Sequence, residues 1–234
     1  KYIVSWLYKI TKSKNLCLAG GVALNCKMNG ELLKLPFIDN LYVSPAPGDS
    51  GASLGAAIYC SVINSKVRPR PLLNTNIGRG YSNKEILKAL KSSNLSYKKI
   101  TDPDKVAAEL LLKEKIIVWV QGKTEFGPRA LGYRSILALP QKKSIKDFIN
   151  IEVKHREQWR PLCPSILAEQ SYKYFENSSF GRFMNVAVHS KELARSNVPS
   201  VIHIDGTSRI QKVYENENPL YYNLLKIKIG RAHV

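Results

Sequence analysis

Short apolar runs alternate along the chain with polar stretches that contain glycine or proline, a pattern typical of an α/β protein. Continuous apolar runs predict buried strands at residues 16–19, 41–44 and 116–120. Helical spacing of apolar residues predicts helices at residues 2–10, 22–35, 52–63 and 144–153, and others after residues 82 and 102. Two strand–turn–helix units in succession favour a nucleotide-binding α/β lobe in the first part of the chain.

The turns after the first two predicted strands are rich in glycine. Gly20-Gly21 follows the first strand and Gly48-Asp49 follows the second. Backbone N–H groups at the start of a helix bind phosphate well, although paired glycines also form ordinary tight turns. For Asp49 two roles are open, an N-cap or a ligand to a hard metal ion, and the residue type alone favours the cap.

A loop containing glycine and arginine, residues 122–135, follows the strand predicted at 116–120. Its three glycines let the backbone approach a ligand closely, and Pro128 fixes its own φ. Arg129 and Arg134 offer planar groups of donors that match phosphate or carboxylate oxygens two at a time. A solvated surface turn is the alternative, but the glycines and the proline between two apolar runs favour a site for a small anion.

Two further basic stretches lie at residues 154–165 and 203–211. In the first, prolines at 161 and 164 stiffen the chain, which lowers the entropic cost of ordering its cations around a ligand. An exposed, charged helix end is the alternative. In the second, Arg209 follows an Asp-Gly-Thr turn and is in a position to reach the same anion. Residues 64–79 show no periodic spacing of apolar residues, so this segment is predicted to be a linker or a surface crossing.

Composition is that of a folded globular protein, with 234 residues, 44% of them hydrophobic and 23% charged. No apolar run is long enough for a membrane helix, and no signal peptide is evident at the start. The 4 cysteines form no C-x-x-C pair, which predicts reduced thiols and a cytoplasmic protein. Cys163 is a conceivable nucleophile, but packing is the favoured role.

The formal net charge of +18 is compatible with nucleic acid, anionic lipid or phosphorylated small molecules as partners. The lysines are scattered rather than grouped with aromatic residues on one element. We therefore regard nucleic acid as an unlikely partner and expect anionic substrates where arginines lie beside glycines.

Taken together, these blocks resemble the NodU/CmcH-type O-carbamoyltransferases, in the same order and from about residue 16 to 223. The most specific block is Glu-Phe-Gly-Pro-Arg-Ala-Leu-Gly at residues 125–132. The others are residues 20–25, 47–51, 133–135, 160–165 and 203–211.

The resemblance implies an α/β (α+β) fold in two lobes. Residues 1–66 would be the end of an actin-like ATPase lobe similar to tRNA threonylcarbamoyl transferases, residues 67–100 a linker, and residues 101–228 a truncated YrdC-like mixed-sheet domain. Residues 229–234 look like a non-native tail. The family's upstream histidine metal ligands and its last segment have no counterpart here, so the resemblance implies an internal fragment.

The resemblance also implies the chemistry. Carbamoyl phosphate and ATP would give carbamoyl-adenylate in the second lobe, and the carbamoyl group would pass to a hydroxyl of a small-molecule or glycan-type acceptor. The implied catalytic cations are Arg129, Arg134, Lys154, Arg156 and Arg160. Substrate contacts would come from Lys123, Gly127, Pro128, Ser135, Ser165 and Arg209. In the actin-like lobe, nucleotide would contact Gly20, Gly21, Asn25 and Gly48, and Asp49 would bind iron or magnesium.

Two other functions stay open. The net charge and the tRNA-acting relatives of YrdC-like domains suggest a module that binds tRNA or duplex RNA without transferring carbamoyl groups. A nonenzymatic remnant or regulatory domain is the third possibility.

Overall fold

The structure is a computed structural model, and it describes residues 1–67 and 70–227. In its N-terminal segment the helices and strands are α1 (Tyr2–Thr11), β1 (Asn15–Leu18), α2 (Cys26–Leu32), β2 (Asn40–Val43) and α3 (Ala52–Ser65). Strands β1 and β2 are parallel. Parallel pairing requires a crossover between the strands, and α2 provides it.

The helix predicted at residues 22–35 is interrupted. A 3₁₀ turn, Gly21–Leu24, precedes α2, and Asn25 leaves the helical conformation between them, with φ −75° and ψ 89°. The Asn25 side chain accepts a hydrogen bond from the Met28 N–H at 3.0 Å, so it caps α2. A second 3₁₀ turn, Asp49–Gly51, leads into α3.

Part of the segment predicted to be a linker or surface crossing, residues 64–79, is hydrogen-bonded to the loop at residues 122–135. Its Arg68-Pro69 pair is outside the described residues. Asn76 accepts a hydrogen bond from the Lys123 N–H at 2.7 Å, and the Phe126 N–H donates to the Thr75 carbonyl at 2.7 Å. Helix α4 (Asn83–Ser92) follows and begins with a capping box between Ser82 and Glu85.

The C-terminal part is a mixture of helices and short strands, as the apolar pattern predicts. Strand β3 pairs with β4 antiparallel, β5 with β8 parallel, and β6 with β7 antiparallel. The helices are α5 (Pro103–Leu112), α6 (Ser144–Phe148), α7 (Ser171–Tyr174), α8 (Glu192–Asn197) and α9 (Pro219–Ile227). The strands are β3 (Ile117–Val120), β4 (Arg134–Leu137), β5 (Ser165–Leu167), β6 (Val188–His189), β7 (Thr207–Ser208) and β8 (Gln211–Val213).

Most of the buried apolar residues belong to this C-terminal part. One cluster packs α5 and α9 against β3 and β4 through Leu111, Trp119 and Tyr221. A second cluster includes Phe175 and Ile210. By contrast, α1 and α3 have no buried residue. Among the described residues, no helix has both the length and the apolar character required to cross a membrane.

Close contacts join the N-terminal segment to the C-terminal part. The Asn29 side-chain amide donates to the Ala23 carbonyl at 2.8 Å and to the Asn185 carbonyl at 2.7 Å. Lys27 pairs with Asp205 at 2.7 Å. Helix α2 therefore lies against the segments that immediately precede β6 and β7.

Candidate functional site

The loop between β3 and β4 is organised by one carboxylate. An oxygen of Glu125, Oε1, accepts hydrogen bonds from the backbone N–H groups of Leu131, Tyr133 and Arg134 at 3.1, 2.9 and 2.7 Å. Charge-assisted bonds of this kind are stronger than neutral ones. Gly132 has φ +86°, and a Cβ there would lie 2.3 Å from the Tyr221 ring, so this turn requires glycine.

Beside this loop lies a hollow of about 260 Å³, which we call the cation hollow. Four cationic side chains from three separate stretches of sequence line it, and its described lining contains no carboxylate. These cations are Arg129, Lys154, Arg156 and Arg209. The walls also include Pro128, Ser135, Cys163, Ser165, Met184 and Tyr221. Such an excess of positive charge in a small hollow is suited to a compact ligand that carries more than one negative charge.

All four cations have shifted pKa values: burial lowers the pKa of Arg129, Lys154 and Arg156, whereas for Arg209 burial is outweighed by the nearby cysteine thiols, which raise its pKa. Burial lowers the pKa of Arg129, and the neighbouring Arg209 lowers it further, although Cys163 and Cys26 oppose the shift. Burial likewise lowers the pKa of Lys154, with a contribution from repulsion by Arg156. The three lowered pKa values mean that the hollow disfavours the positive charges of Arg129, Lys154 and Arg156. A bound anion would relieve that cost.

Two of the cations are held by specific partners. Arg156 donates from Nε to the Oδ1 of buried Asn150 at 2.7 Å, and the Asn150 amide donates in turn to the Arg160 carbonyl at 2.8 Å. Arg209 donates from Nε and Nη2 to the Cys163 sulfur at 3.1 and 2.9 Å. These contacts fix both guanidinium groups before any ligand binds, which reduces the entropy lost on binding.

The two predicted serines have partners within the protein. The Ser165 hydroxyl donates to the Gln211 Oε1 at 2.9 Å, and Ser135 Oγ accepts from the Gly132 N–H at 2.9 Å. Gly127, with φ +108°, lies against the Pro45 carbonyl, because a Cβ there would be 2.5 Å from that oxygen. It brings the loop onto the N-terminal segment.

Of the residues predicted for this site, Gly127 and three cations do not line the cation hollow. The Arg134 guanidinium donates to the backbone carbonyls of residues 121, 122 and 133 at 2.6, 3.2 and 3.0 Å. Arg160 forms an exposed ion pair with Glu157 at 2.8 Å. Lys123 is exposed, and its backbone N–H bonds to Asn76.

The residues predicted for nucleotide and metal lie together in the N-terminal segment. The Gly20 N–H donates to the Pro47 carbonyl at 2.6 Å, and a Cβ on Gly48 would lie 3.7 Å from the Gly21 Cα. Asn25 caps α2. Asp49 is exposed within its 3₁₀ turn, and no group of three or more His, Cys, Asp or Glu suited to a metal ion occurs among residues 1–67 and 70–227. Asp49 alone would supply one ligand, so we derive no chemical step through a metal.

Comparison with known proteins identifies the family to which these two regions correspond. A model of the carbamoyltransferase N-terminus matches residues 2–58, and a model of the carbamoyltransferase C-terminus matches residues 108–231, more than half of the chain. The chain belongs to the carbamoyltransferase family. The cation hollow is built from residues of the C-terminal match, and the glycine turns lie within the N-terminal match.

Relatives of this carbamoyltransferase chain occur in bacteria and archaea. Nodulation protein NolO of Bradyrhizobium diazoefficiens is 40% identical over 225 residues, which are 93% of this chain and 41% of the relative. Nodulation protein NolNO of Sinorhizobium fredii is 39% identical over 225 residues, which are 93% of this chain and 33% of that protein. An uncharacterized protein of Methanocaldococcus jannaschii is 40% identical over 227 residues, which are 94% of this chain and 37% of that protein. The chain thus spans from about a third to two fifths of the length of these relatives.

Several residues at the hollow and its loop have roles that the sequence does not predict. Glu125 stands inside the most specific block, but its use as the acceptor for three backbone N–H groups depends on how the loop closes. For Asn150 the sequence predicts only a place in a helix. That helix continues after α6 as a π-helical turn, Ile149–Val153, and such turns are frequent at functional sites. Met184 carried no signal in the sequence. Cys163 packs against the apolar cluster of Leu131, Phe183 and Met184, as predicted, and it also lines the hollow and accepts two hydrogen bonds from Arg209.

Proposed function

We propose that the protein is an O-carbamoyltransferase, and that the cation hollow binds carbamoyl phosphate and the phosphates of ATP. One carbamoyl phosphate, one ATP and one water would give carbamoyl-adenylate, inorganic phosphate and pyrophosphate. The carbamoyl group would then move to a hydroxyl of an acceptor. The observation that carries the proposal is the convergence of four cations, without a carboxylate, within the region that matches the carbamoyltransferase C-terminus.

The charges of the hollow fit this reaction. Phosphoryl and nucleotidyl transfer require positioning and neutralisation of negative charge spread over several oxygens, and little covalent chemistry from the protein. Arg129 makes no hydrogen bond or ion pair within the described part of the chain, so all its donors are available to a ligand. Arg156 uses only Nε on Asn150, which leaves its two terminal nitrogens for oxygens of a phosphate.

The N-terminal segment would contribute to the second stage. Gly20, Gly21 and Gly48 lie in neighbouring backbone turns, and a Cβ on Gly20 or Gly21 would meet no atom within 4 Å, so this surface is open to close approach by a nucleotide. Asp49 would supply one metal ligand. We further propose that this segment belongs to an actin-like lobe and that the C-terminal part is YrdC-like. Transfer to the acceptor would take place at the N-terminal lobe, while adenylate formation would take place at the cation hollow.

The test is an assay of pyrophosphate release from ATP by the purified chain, with and without carbamoyl phosphate. The proposal predicts release that depends on carbamoyl phosphate and saturates with its concentration. Release that is the same without carbamoyl phosphate would contradict it. Salt-sensitive binding of duplex RNA, with no response to carbamoyl phosphate, would favour the RNA-binding alternative that the net charge of +18 suggests.

A further inference from the structure

A second and larger hollow, of about 740 Å³, lies beside the cation hollow, and we call it the tryptophan hollow. Its lining includes Lys27, Lys143, Trp159, Pro161, Arg195 and Ile204. Pro161 also lines the cation hollow, so the two hollows meet at this residue. A ligand with two chemically different ends could therefore occupy both hollows at once.

Trp159 gives the tryptophan hollow an exposed aromatic surface on a fixed backbone. The residue is 73% exposed. Buried Asn150 holds the chain on both sides of it, because its side-chain amide donates to the carbonyls of Gln158 and Arg160 at 3.1 and 2.8 Å. The Oδ1 atom of the same Asn150 accepts from Arg156 in the cation hollow at 2.7 Å. One buried side chain thus fixes the backbone around the indole of one hollow and a cation of the other.

The tryptophan hollow also contains cations whose donors are available to a ligand. Two of its four cationic side chains pair with carboxylates of the same lining, at 2.7 and 3.9 Å. The other two, Lys143 and Arg195, make no side-chain hydrogen bond or ion pair among residues 1–67 and 70–227. Lysine and arginine side chains donate hydrogen bonds and do not accept them. An exposed indole beside unused N–H donors suits a ligand that has an aromatic ring and several acceptor atoms.

We propose that the tryptophan hollow binds the nucleoside of ATP, with the base stacked on the Trp159 indole and the phosphates extending past Pro161 into the cation hollow. This inference rests on the proposed function, which assigns the phosphates of ATP and carbamoyl phosphate to the cation hollow. Pockets for ligands of drug size occupy about 300–1,000 Å³. The cation hollow, of about 260 Å³, is too small for both whole molecules, whereas the tryptophan hollow has room for a nucleoside. Lys143 and Arg195 would donate to ring nitrogens and ribose hydroxyls.

The test compares ATP with tripolyphosphate, which carries three phosphates but no nucleoside. Binding of each to the whole chain is measured by titration calorimetry. We expect Trp159→Ala to weaken ATP binding by about 10-fold or more, because the base loses its stacking surface. Trp159→Phe should keep most of the ATP affinity, and both variants should bind tripolyphosphate as the wild-type chain does. The matched control is Trp6→Ala, since Trp6 is 60% exposed on α1 and lines neither hollow.

Three results would overturn this inference: no ATP binding by the wild-type chain, equal ATP affinity in wild type and Trp159→Ala, or equal weakening of ATP and tripolyphosphate binding by Trp159→Ala. The last result would indicate a structural effect on the cation hollow instead of a lost contact with the base.

Failure of the proposed function has a different signature, because carbamoyl phosphate binding is tested by Arg129→Ala. If Trp159→Ala weakens ATP binding while Arg129→Ala binds carbamoyl phosphate normally, the nucleoside site stands and the carbamoyl phosphate site is wrong. If Arg129→Ala loses carbamoyl phosphate binding while Trp159→Ala binds ATP normally, the nucleoside site is wrong and the carbamoyl phosphate site stands.

Discussion

The cation hollow and the glycine turns of the N-terminal segment differ in how much of a site each one contains. The hollow brings four cations together from three stretches of sequence, and buried partners such as Asn150 hold them. The turns bring three glycines together, but their one acidic side chain, Asp49, is exposed and has no companion ligands among the described residues.

This difference follows from where the apolar residues are buried. The C-terminal part surrounds its site with two apolar clusters, which fix the side chains of the hollow. In the N-terminal segment, α1 and α3 bury no residue, and apolar side chains such as Trp6 and Tyr59 are 60% and 66% exposed. The side chains of the hollow are therefore held in place before a ligand binds. We expect substitutions there to affect anion binding more than substitutions in the N-terminal turns.

The largest effect is expected for Arg129→Ala. This change removes a guanidinium that has no partner in the described part of the chain. The transition state thereby loses a hydrogen-bond donor to the negative charge on its phosphate oxygens. Pyrophosphate release that depends on carbamoyl phosphate should fall by about 10²–10³-fold, or roughly 3–4 kcal/mol. The matched control is Arg79→Ala, since Arg79 is exposed and stacks on Tyr81. Near-normal release by Arg129→Ala would remove this residue from the site.

The contact between the two regions is tested by Gly127→Ala. A methyl group at this position would lie 2.5 Å from the Pro45 carbonyl, on a backbone with φ +108°. We expect a loss of about 1–3 kcal/mol in the free energy of unfolding, measured by urea denaturation. Gly55→Ala is the control, because it lies inside α3 with open space around its Cβ, and it should leave stability unchanged or raise it. Equal effects of the two changes would show that the contact with Pro45 is unimportant.

The sequence predicts those parts of this arrangement that local contacts determine, and it does not predict the parts that depend on contacts between distant residues. The spacing of glycine, proline and arginine predicts the loop, and all four cations of the hollow are among the candidates that this loop and the two later basic stretches supply. Which arginines face the hollow is decided by contacts that no local pattern contains. Arg134 donates to backbone carbonyls and Arg160 pairs with Glu157, whereas Arg129 has no hydrogen-bond or ion-pair partner among residues 1–67 and 70–227. The break at Asn25 similarly results from a side-chain cap that overrides the helical spacing of residues 22–35.

A smaller effect is expected from His203, which lies at the end of a hydrogen-bonded chain between the two regions. Lys27 pairs with Asp205, Asp205 accepts from Thr207, and the His203 Nδ1 lies 3.0 Å from the Thr207 hydroxyl. Burial lowers the pKa of His203, although the charge of Asp205 opposes this. The unfolded chain therefore binds more protons at this residue, so stability should fall as pH drops below about 6.5.

The measurement is the unfolding midpoint in urea at about pH 7.5 and about pH 5.5. The His203→Gln variant should lose part of the pH dependence, and His155→Gln, at an exposed position, should keep all of it. Burial raises the pKa of Asp205, but the hydrogen bonds from Lys27 and Thr207 outweigh it and keep this pKa below 3.8, outside the tested range. An unchanged pH dependence in His203→Gln would contradict this explanation.

The smallest effect on the hollow is expected for Asp49→Ala. This residue lies in the N-terminal turns, so pyrophosphate release that depends on carbamoyl phosphate should be unchanged, while transfer to an acceptor hydroxyl should be lost. The two half-reactions are followed separately, by pyrophosphate release and by carbamoylated product. Equal loss of both would contradict the assignment of the two stages to two regions.

Binding of carbamoyl phosphate to the chain, measured by titration calorimetry, tests the central claim most directly. We expect saturable binding of one carbamoyl phosphate per chain, lost in both Arg129→Ala and Arg156→Ala and retained in Arg79→Ala. The absence of saturable binding by the wild-type chain, or equal binding by wild type and Arg129→Ala, would contradict the assignment of the cation hollow as the carbamoyl phosphate site.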